Sequence, residues 1–148
     1  HIARSHSEGR GPYLSMKQAV IEAGISAHDV DYINVHATST PIGDIAESNA
    51  LKNLYKGDYG NMVVSATKSM TGHLMGAAGA IEAIIAIKSL INDIVPGTIN
   101  TQTIDSNIDP NLDVVIGSSR KKKLKYVMSN TFGFGGHNAA LVFRKLNN

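Results

Sequence analysis

The sequence has no cysteine, little net charge and no uninterrupted apolar run of membrane-span length. Without cysteine the chain can form no disulfide, no thiolate metal site and no cysteine nucleophile of its own, which also fits a reducing compartment. A net charge of +2 gives no support for a nucleic-acid partner. The longest apolar stretch is interrupted by Glu82 and Lys88, so no membrane partner is expected. His1 opens the chain without a signal-peptide pattern, and we expect a fragment of a longer protein.

What is present is a chain that can build a core. Its 148 residues are 43% hydrophobic, which fits one folded domain. Helical and strand-like stretches alternate along the chain, and this alternation predicts an α/β layer fold. The pattern predicts helices over 12–23, 43–57 and 74–91, and strands over 30–36, 62–66, 126–130 and 139–145, with 112–117 as a further strand candidate.

The helix predicted over 74–91 is apolar on nearly every side. Such a helix is usually covered on all faces, so we expect it to lie between two sheets. Glu82 lies in its middle, where an isolated carboxylate would be very costly to bury. The carboxylate therefore needs a partner, and Lys68 is the nearest candidate in the sequence.

Three predicted strands are each followed by side chains that can do chemistry. In open α/β sheets ligands bind beyond the strand ends, so the three segments are expected to converge on one pocket. Each histidine could equally be a core residue bonded to the backbone, and the lysine could be an ordinary surface residue. The candidates are His36 with Thr38 and Thr40, then Lys68 with His73, and finally the glycine-rich turn around Phe132 and Phe134.

Two further motifs have simpler interpretations. The stretch GFGG (133–136) fails the dinucleotide pattern, because Asn138 replaces the third glycine and a strand follows. It is interpreted as a tight turn that needs positive φ. The stretch RKKKLK (120–125) is interpreted as a solvated loop, with docking of an acidic carrier protein as the functional alternative.

Three long stretches together resemble one enzyme family. VHATSTPIGD, SATKSMTGHLMGAAGAIEA and MSNTFGFGGHNAALVF resemble the C-terminal half of β-ketoacyl-acyl carrier protein synthases of the elongating type, KAS I/II, in the thiolase superfamily. The resemblance runs from about Glu8 to Lys145, with Ala37 where many members have glycine. It implies the five-layered αβαβα thiolase fold. Residues 1–148 would be the C-terminal half-domain, and the N-terminal half that bears the catalytic cysteine is absent from this sequence.

The same resemblance assigns roles to residues at matching positions. Those given to catalysis are His36, His73 and Lys68, supported by Glu82, Asp44, Phe132 and Phe134, the last as a gate and a backbone oxyanion donor. Thr38 and Thr40 match threonines that bind the phosphopantetheine arm. Some members hold a structural monovalent cation at positions that match Asn34, Glu82, Ser129 and Asn130.

The resemblance also implies an activity. It is the decarboxylating Claisen condensation of malonyl-acyl carrier protein with an acyl-enzyme, in fatty acid elongation, with no cofactor required. The implied partners are acyl carrier protein, the N-terminal half and a second copy in a homodimer, in the bacterial cytoplasm or an organelle matrix. A polyketide-type ketosynthase fragment and a non-catalytic orphan fragment are the alternatives.

Overall fold

The computed structural model describes residues 7–146, which form four helices and six strands. The helices are α1 (Arg10–Glu22), α2 (Gly43–Tyr55), α3 (Lys68–Thr71) and α4 (Ala78–Asn92). The strands are β1 (Tyr32–Asn34), β2 (Val63–Ser65), β3 (Ile94–Val95), β4 (Arg120–Lys121), β5 (Tyr126–Phe132) and β6 (Asn138–Arg144). Short 3₁₀ turns cover Ala27–Asp29, Met75–Ala77 and Phe134–Gly136.

Four strands form the main sheet, in the order β2-β1-β5-β6. Strand β1 runs parallel to both of its neighbours, and β6 pairs antiparallel with β5. The register places Asn34 beside Ser65 on one side and beside Ser129 on the other. The predicted α/β architecture is confirmed, and three parallel strands bring their carboxyl ends to one edge.

The sheet lies between helices, because the side chains on both of its faces are buried. Ile33 and Met128 pack in a cluster with residues of α1 and α2. Their strand neighbours Tyr32 and Val127 pack in a second cluster with residues of α4. Successive side chains of a strand point to opposite faces, so this alternation separates the α1–α2 side from the α4 side.

Helix α4 differs from its prediction in its start and in its surroundings. It begins at Ala78, after the 3₁₀ turn Met75–Ala77, in which Met75 has a φ of 51°. Only one sheet covers it, and a row of isoleucines on its outer face is 36–63% exposed. The expectation of cover on all faces is wrong within this chain, since one sheet cannot reach every side of an apolar helix. The isoleucines of that row are Ile81, Ile84, Ile87 and Ile91.

The segment Met75–Asn92 also corrects the statement that no run has span length. Its 18 residues have a mean hydropathy of 1.4, which is long and apolar enough to cross a membrane by length and composition alone. Core helices pass the same test. Here Glu82 is buried inside the fold with Lys68 as its partner, and the inner face of α4 packs on the sheet.

Two segments near the C-terminus differ from the sequence interpretation. The stretch 112–117 forms only isolated bridges, from Val114 to Val64 and from Ile116 to Thr98. The basic stretch is not entirely a loop, because Arg120 and Lys121 form β4 and pair with β3. Two-residue pairings of this kind are too short to be read from a sequence pattern.

Candidate functional site

Two histidines that are distant in sequence face each other at the carboxyl edge of the sheet. His36 follows β1 and His73 follows α3, and their ring centroids lie 5.7 Å apart with the planes at 88°. Phe132, at the end of β5, packs edge-on against His36 at 5.7 Å. The three segments expected to converge therefore do meet here.

The His36 imidazole is held in its neutral form. Burial, together with the positive charge of Lys68 and a smaller electrostatic effect of His73, lowers the pKa of His36 to about 4. Its Nδ1 atom is buried and has no hydrogen-bond partner among the described residues. At neutral pH this ring therefore carries one N–H and no charge.

The backbone fixes the tautomer of His73. The amide N–H of Met75 donates to His73 Nδ1, with 3.3 Å between the nitrogens. Accepting this bond requires Nδ1 to be unprotonated, so the proton of the neutral ring is on Nε2. His73 is exposed at the surface of this chain, and its Nε2–H is a donor available to a ligand.

The predicted contact between Lys68 and Glu82 is present. Lys68 lies at the start of α3, directly after β2, and its Nζ donates to Glu82 Oε1 on α4. The two side chains are only 6% and 1% exposed. Burial raises the pKa of Glu82, and the hydrogen bond and charge of Lys68 oppose that rise. Glu82 Oε2 remains buried without a partner among the described residues.

A second buried carboxylate, Glu47 of α2, was missed in the sequence. Its Oε1 accepts from the backbone N–H of His36 at 3.0 Å, and its Oε2 accepts from that of Ala37 at 2.9 Å. Oε1 also accepts from Asn130 Nδ2 at 3.0 Å. Burial raises the pKa of Glu47 despite these bonds. The signal was the one that identified Glu82, a carboxylate on the buried face of a helix.

The loop after His36 has a strained backbone. Ala37 and Ser39 have φ values of 27° and 60°, in the region that favours glycine. Asp44 supports the loop by accepting from the Ser39 backbone N–H at 3.1 Å, and burial raises its pKa. The Thr38 and Thr40 hydroxyl oxygens lie 3.4 Å apart, so the two predicted arm-binding threonines are neighbours.

The glycine-rich turn leaves the Phe134 ring exposed. Phe134 is 75% exposed, in a 3₁₀ turn in which Gly135 and Gly136 have positive φ. The turn is closed by Gly133 N–H, which donates to the His137 carbonyl at 2.8 Å. The prediction of a tight turn with positive φ is confirmed. The gating role of Phe134 remains a prediction.

The four residues proposed for a cation do not share one face of the sheet. Asn34 Nδ2 reaches the backbone oxygen of Glu82 at 3.4 Å, and Ser129 lies beside Asn34 in the register. Asn130 points the other way, towards Glu47 and Met16 on the α1–α2 side. The Asn130 side chain therefore cannot join Glu82, because adjacent strand residues alternate between faces.

A cavity of about 500 Å³ adjoins the loop that follows His36 but does not include the two imidazoles. Ala37, Asp44 and Glu47 line it from one side, and the loop 98–114 lines it from the other. Neither His36 nor His73 contributes to its wall. The candidate site is instead the surface formed at the two imidazoles, with the buried Lys68–Glu82 pair close to His36.

Comparison with known proteins finds relatives of one enzyme family. Residues 1–102 match the family described as Beta-ketoacyl synthase, C-terminal domain. The chain is 45% identical over 148 residues to 3-oxoacyl-acyl-carrier-protein synthase 2 of Vibrio harveyi, covering 99% of this chain and 35% of that protein. It is 46% identical over 145 residues to the synthase 2 of Staphylococcus aureus (strain COL), covering 98% and 34%. The chain thus spans about a third of the length of these curated relatives.

Solved structures that resemble this chain belong to the same kind of enzyme. A beta-ketoacyl synthase from Burkholderia phymatum STM815 superimposes with a TM-score of 0.87 at 35% identity, covering 99% of this chain and 35% of that one. A type II polyketide ketosynthase, in complex with its acyl-carrier protein, gives a TM-score of 0.93 at 31% identity, covering 99% and 36%. The expected fold, the C-terminal half of a thiolase-like fold, is confirmed. The chain therefore belongs to the beta-ketoacyl synthase family, as part of its C-terminal region.

Proposed function

We propose that this chain supplies the His36, His73 and Lys68 part of the active site of a β-ketoacyl-acyl carrier protein synthase in fatty acid elongation. The reaction is the decarboxylating Claisen condensation of malonyl-acyl carrier protein with an acyl group held on a cysteine of the N-terminal half. The observation that carries the proposal is the histidine pair, 5.7 Å between ring centroids, beside the buried Lys68–Glu82 pair.

The imidazoles suit the decarboxylation step. When CO₂ leaves, the electron pair of the broken C–C bond moves into the malonyl thioester, and negative charge develops on its oxygen. Two neutral N–H groups can stabilise that oxygen without prior protonation. The low pKa of His36 and the Nε2–H tautomer of His73 support this role.

The condensation step uses the backbone. The carbanion carbon bonds to the acyl carbonyl, the C–S bond to cysteine breaks, and the thiolate leaves. The transient oxyanion accepts from backbone N–H groups, including that of Phe134, whose exposed ring acts as a gate. Lys68 maintains a positive charge close to His36, with Glu82 compensating it inside the fold.

No cofactor is proposed for this chemistry, but a structural monovalent cation fits part of the set identified in the sequence. The buried Glu82 Oε2 atom lacks a partner among the described residues, and Asn34 and Ser129 lie on the same face. These three would hold the cation, with Asn130 restricted to its backbone oxygen. A bound cation would supply positive charge beside Glu82 and stabilise the packing of α4.

The proposed partners follow from the same relatives. One of the similar ketosynthases is described in complex with its acyl-carrier protein, which supports such a carrier as the donor of both acyl groups. Thr38 and Thr40 would bind its pantetheine arm. The exposed isoleucine row of α4 supports a covering N-terminal half within a homodimer. The bacterial cytoplasm or an organelle matrix remains the predicted location.

The test uses His36→Ala and His73→Ala in the full-length protein. We expect CO₂ release from malonyl-acyl carrier protein to fall by about 10²-fold or more, while acyl transfer to cysteine persists. His28→Ala is the matched control, because His28 is exposed, and its ring contacts are the backbone oxygen of Asp58, 3.0 Å from Nε2, and the edge of the Tyr55 ring. CO₂ release at a near wild-type rate in either site variant would contradict the assignment.

A polyketide-type ketosynthase is the second candidate, favoured by the similarity to the type II enzyme at a TM-score of 0.93. Sequence identity supports fatty acid elongation instead, at 45% against 31%. Analysis of the product formed by the full-length protein over several malonyl additions discriminates the two. The polyketide enzyme extends chains that retain their keto groups, whereas the elongating enzyme needs reduction between rounds.

A further inference from the structure

The charges of this chain are segregated along its sequence. Residues 114–148 contain seven Lys and Arg side chains and no Asp or Glu. The other seven cations and all twelve acidic residues lie in 1–113, so the two parts carry net charges of +7 and −5. The overall charge of +2 hides this asymmetry. A strongly basic segment of this kind indicates an anionic partner.

The fold gathers the seven cations at one end of the sheet. Five of them lie in 120–125, on β4 and the segment that leads into β5. Arg144 is paired in register with Tyr126, the first residue of β5, and Lys145 follows it. This group, Arg120–Lys123 with Lys125, Arg144 and Lys145, is called the basic pole.

Acidic neighbours neutralise only part of the basic pole. Asp113 pairs with Arg120, and Asp93 pairs with Lys123 and Lys145. Lys121 and Lys125 are exposed, and their ammonium groups have no ion pair among the described residues. The Asp31 carboxylate adjoins Lys125 and accepts from its backbone N–H at 2.6 Å. The pole therefore presents several uncompensated cations to solvent.

An exposed apolar side chain lies beside these cations. Ile94 of β3 is directly opposite Lys121 in the antiparallel pair, which places their side chains on one face. Ile94 is 37% exposed. The headgroup region of a bilayer accommodates both cations and an exposed aliphatic group. A phosphate backbone or a hydrated acidic protein offers less to the aliphatic group.

We propose that the basic pole binds the surface of an anionic phospholipid bilayer. Clusters of four to eight Lys and Arg residues have the charge needed for such binding, which requires no spanning segment. The sequence-based expectation of no membrane partner was drawn from the lack of a membrane-spanning run. The proposal of binding to the bilayer surface replaces that expectation.

The orientation that results leaves the candidate active site free. The basic pole lies at the amino end of β5 and Phe132 at its carboxyl end, about 20 Å away over seven residues. A carrier protein seated on the pole would be at the end of the sheet remote from His36. Its arm would have to span that distance, so we favour the bilayer surface over carrier docking, which was the functional alternative for RKKKLK.

The experiment measures binding of the full-length protein to vesicles of 30% phosphatidylglycerol and 70% phosphatidylcholine, with pure phosphatidylcholine as the neutral reference. Lys121→Gln/Lys125→Gln should weaken binding about 30-fold, since each lysine near an anionic surface contributes about fivefold. The matched control is Lys17→Gln/Lys56→Gln, which removes two exposed charges. Lys17 lies over the Tyr13 ring at 5.7 Å, as Lys125 lies over Tyr126 at 5.3 Å.

The expected result is binding to anionic vesicles alone, weakened by salt and by the pole variant but unchanged in the control. Equal binding to neutral vesicles, or equal loss in both variants, would overturn the proposal. Loss of affinity for isolated acyl carrier protein in the pole variant, with vesicle binding intact, would also overturn it and assign the pole to a protein partner.

Discussion

Removing either member of the Lys68–Glu82 pair should destabilise the full-length protein strongly. The side chains are 6% and 1% exposed, so neither charge can be solvated by water once its partner is gone. Breaking a buried pair in this way typically costs about 3–5 kcal/mol. We expect this loss in the free energy of unfolding for Glu82→Gln and for Lys68→Met.

The double variant should be far less damaged than the sum of the two single variants. Lys68→Met/Glu82→Gln leaves no uncompensated charge, and the coupling energy should therefore be about 3 kcal/mol or more. Lys68→Met should also recover with acidification. Burial already raises the pKa of Glu82, so the folded state of that variant binds the proton more tightly and gains stability as pH falls through that pKa.

The assay is urea unfolding at pH 7 and pH 5, followed by fluorescence or circular dichroism. Asp113→Asn is the matched control, because the Arg120–Asp113 pair is about half exposed, at 44% and 49%. An exposed pair of this kind contributes about 0–1 kcal/mol. Single-site losses no larger than the control, or a double variant equal to the sum, would refute the buried-pair reasoning.

Three more predictions concern the His36 loop. Ala37→Gly should raise the free energy of unfolding by about 0.5–1 kcal/mol in denaturant titration, because Ala37 has a φ of 27°; a loss of stability would contradict the strain. Glu47→Gln should slow CO₂ release about 10–100-fold and spare acyl transfer, because one backbone N–H loses its acceptor; equal losses in both steps would indicate general misfolding instead. The His36 ring should take up its proton at about pH 4, as followed by the NMR chemical shifts of its ring protons; a midpoint near 6.5 for that ring would show an unperturbed imidazole.

Several features of the site could be predicted from sequence because they depend on local patterns and on the cost of burial. Glu82 in an apolar helix required a cation, and Lys68 is that cation. The glycine-rich turn required positive φ, which Gly135 and Gly136 adopt. Alternation of strands and helices indicated the α/β layers, since hydrophobic periodicity is set by the backbone geometry of each element.

Only the tertiary structure decided what depends on distance in space. His36 and His73 are 37 positions apart in the sequence, and their perpendicular contact follows from the parallel pairing of β1 and β2. Glu47 binds backbone N–H groups, whose directions no side-chain pattern records. Asn130 was assigned beside Glu82, yet strand alternation turns its side chain to the opposite face.

For helix α4, too, the sequence determined one property and the tertiary structure another. Its composition determined that it would be a core helix, because so many apolar side chains favour burial. Which faces are covered was decided by the number of layers that this chain can build. One sheet covers the side that includes Glu82 and Ala86 and leaves the isoleucine row exposed, because packing contacts reach only across adjacent layers.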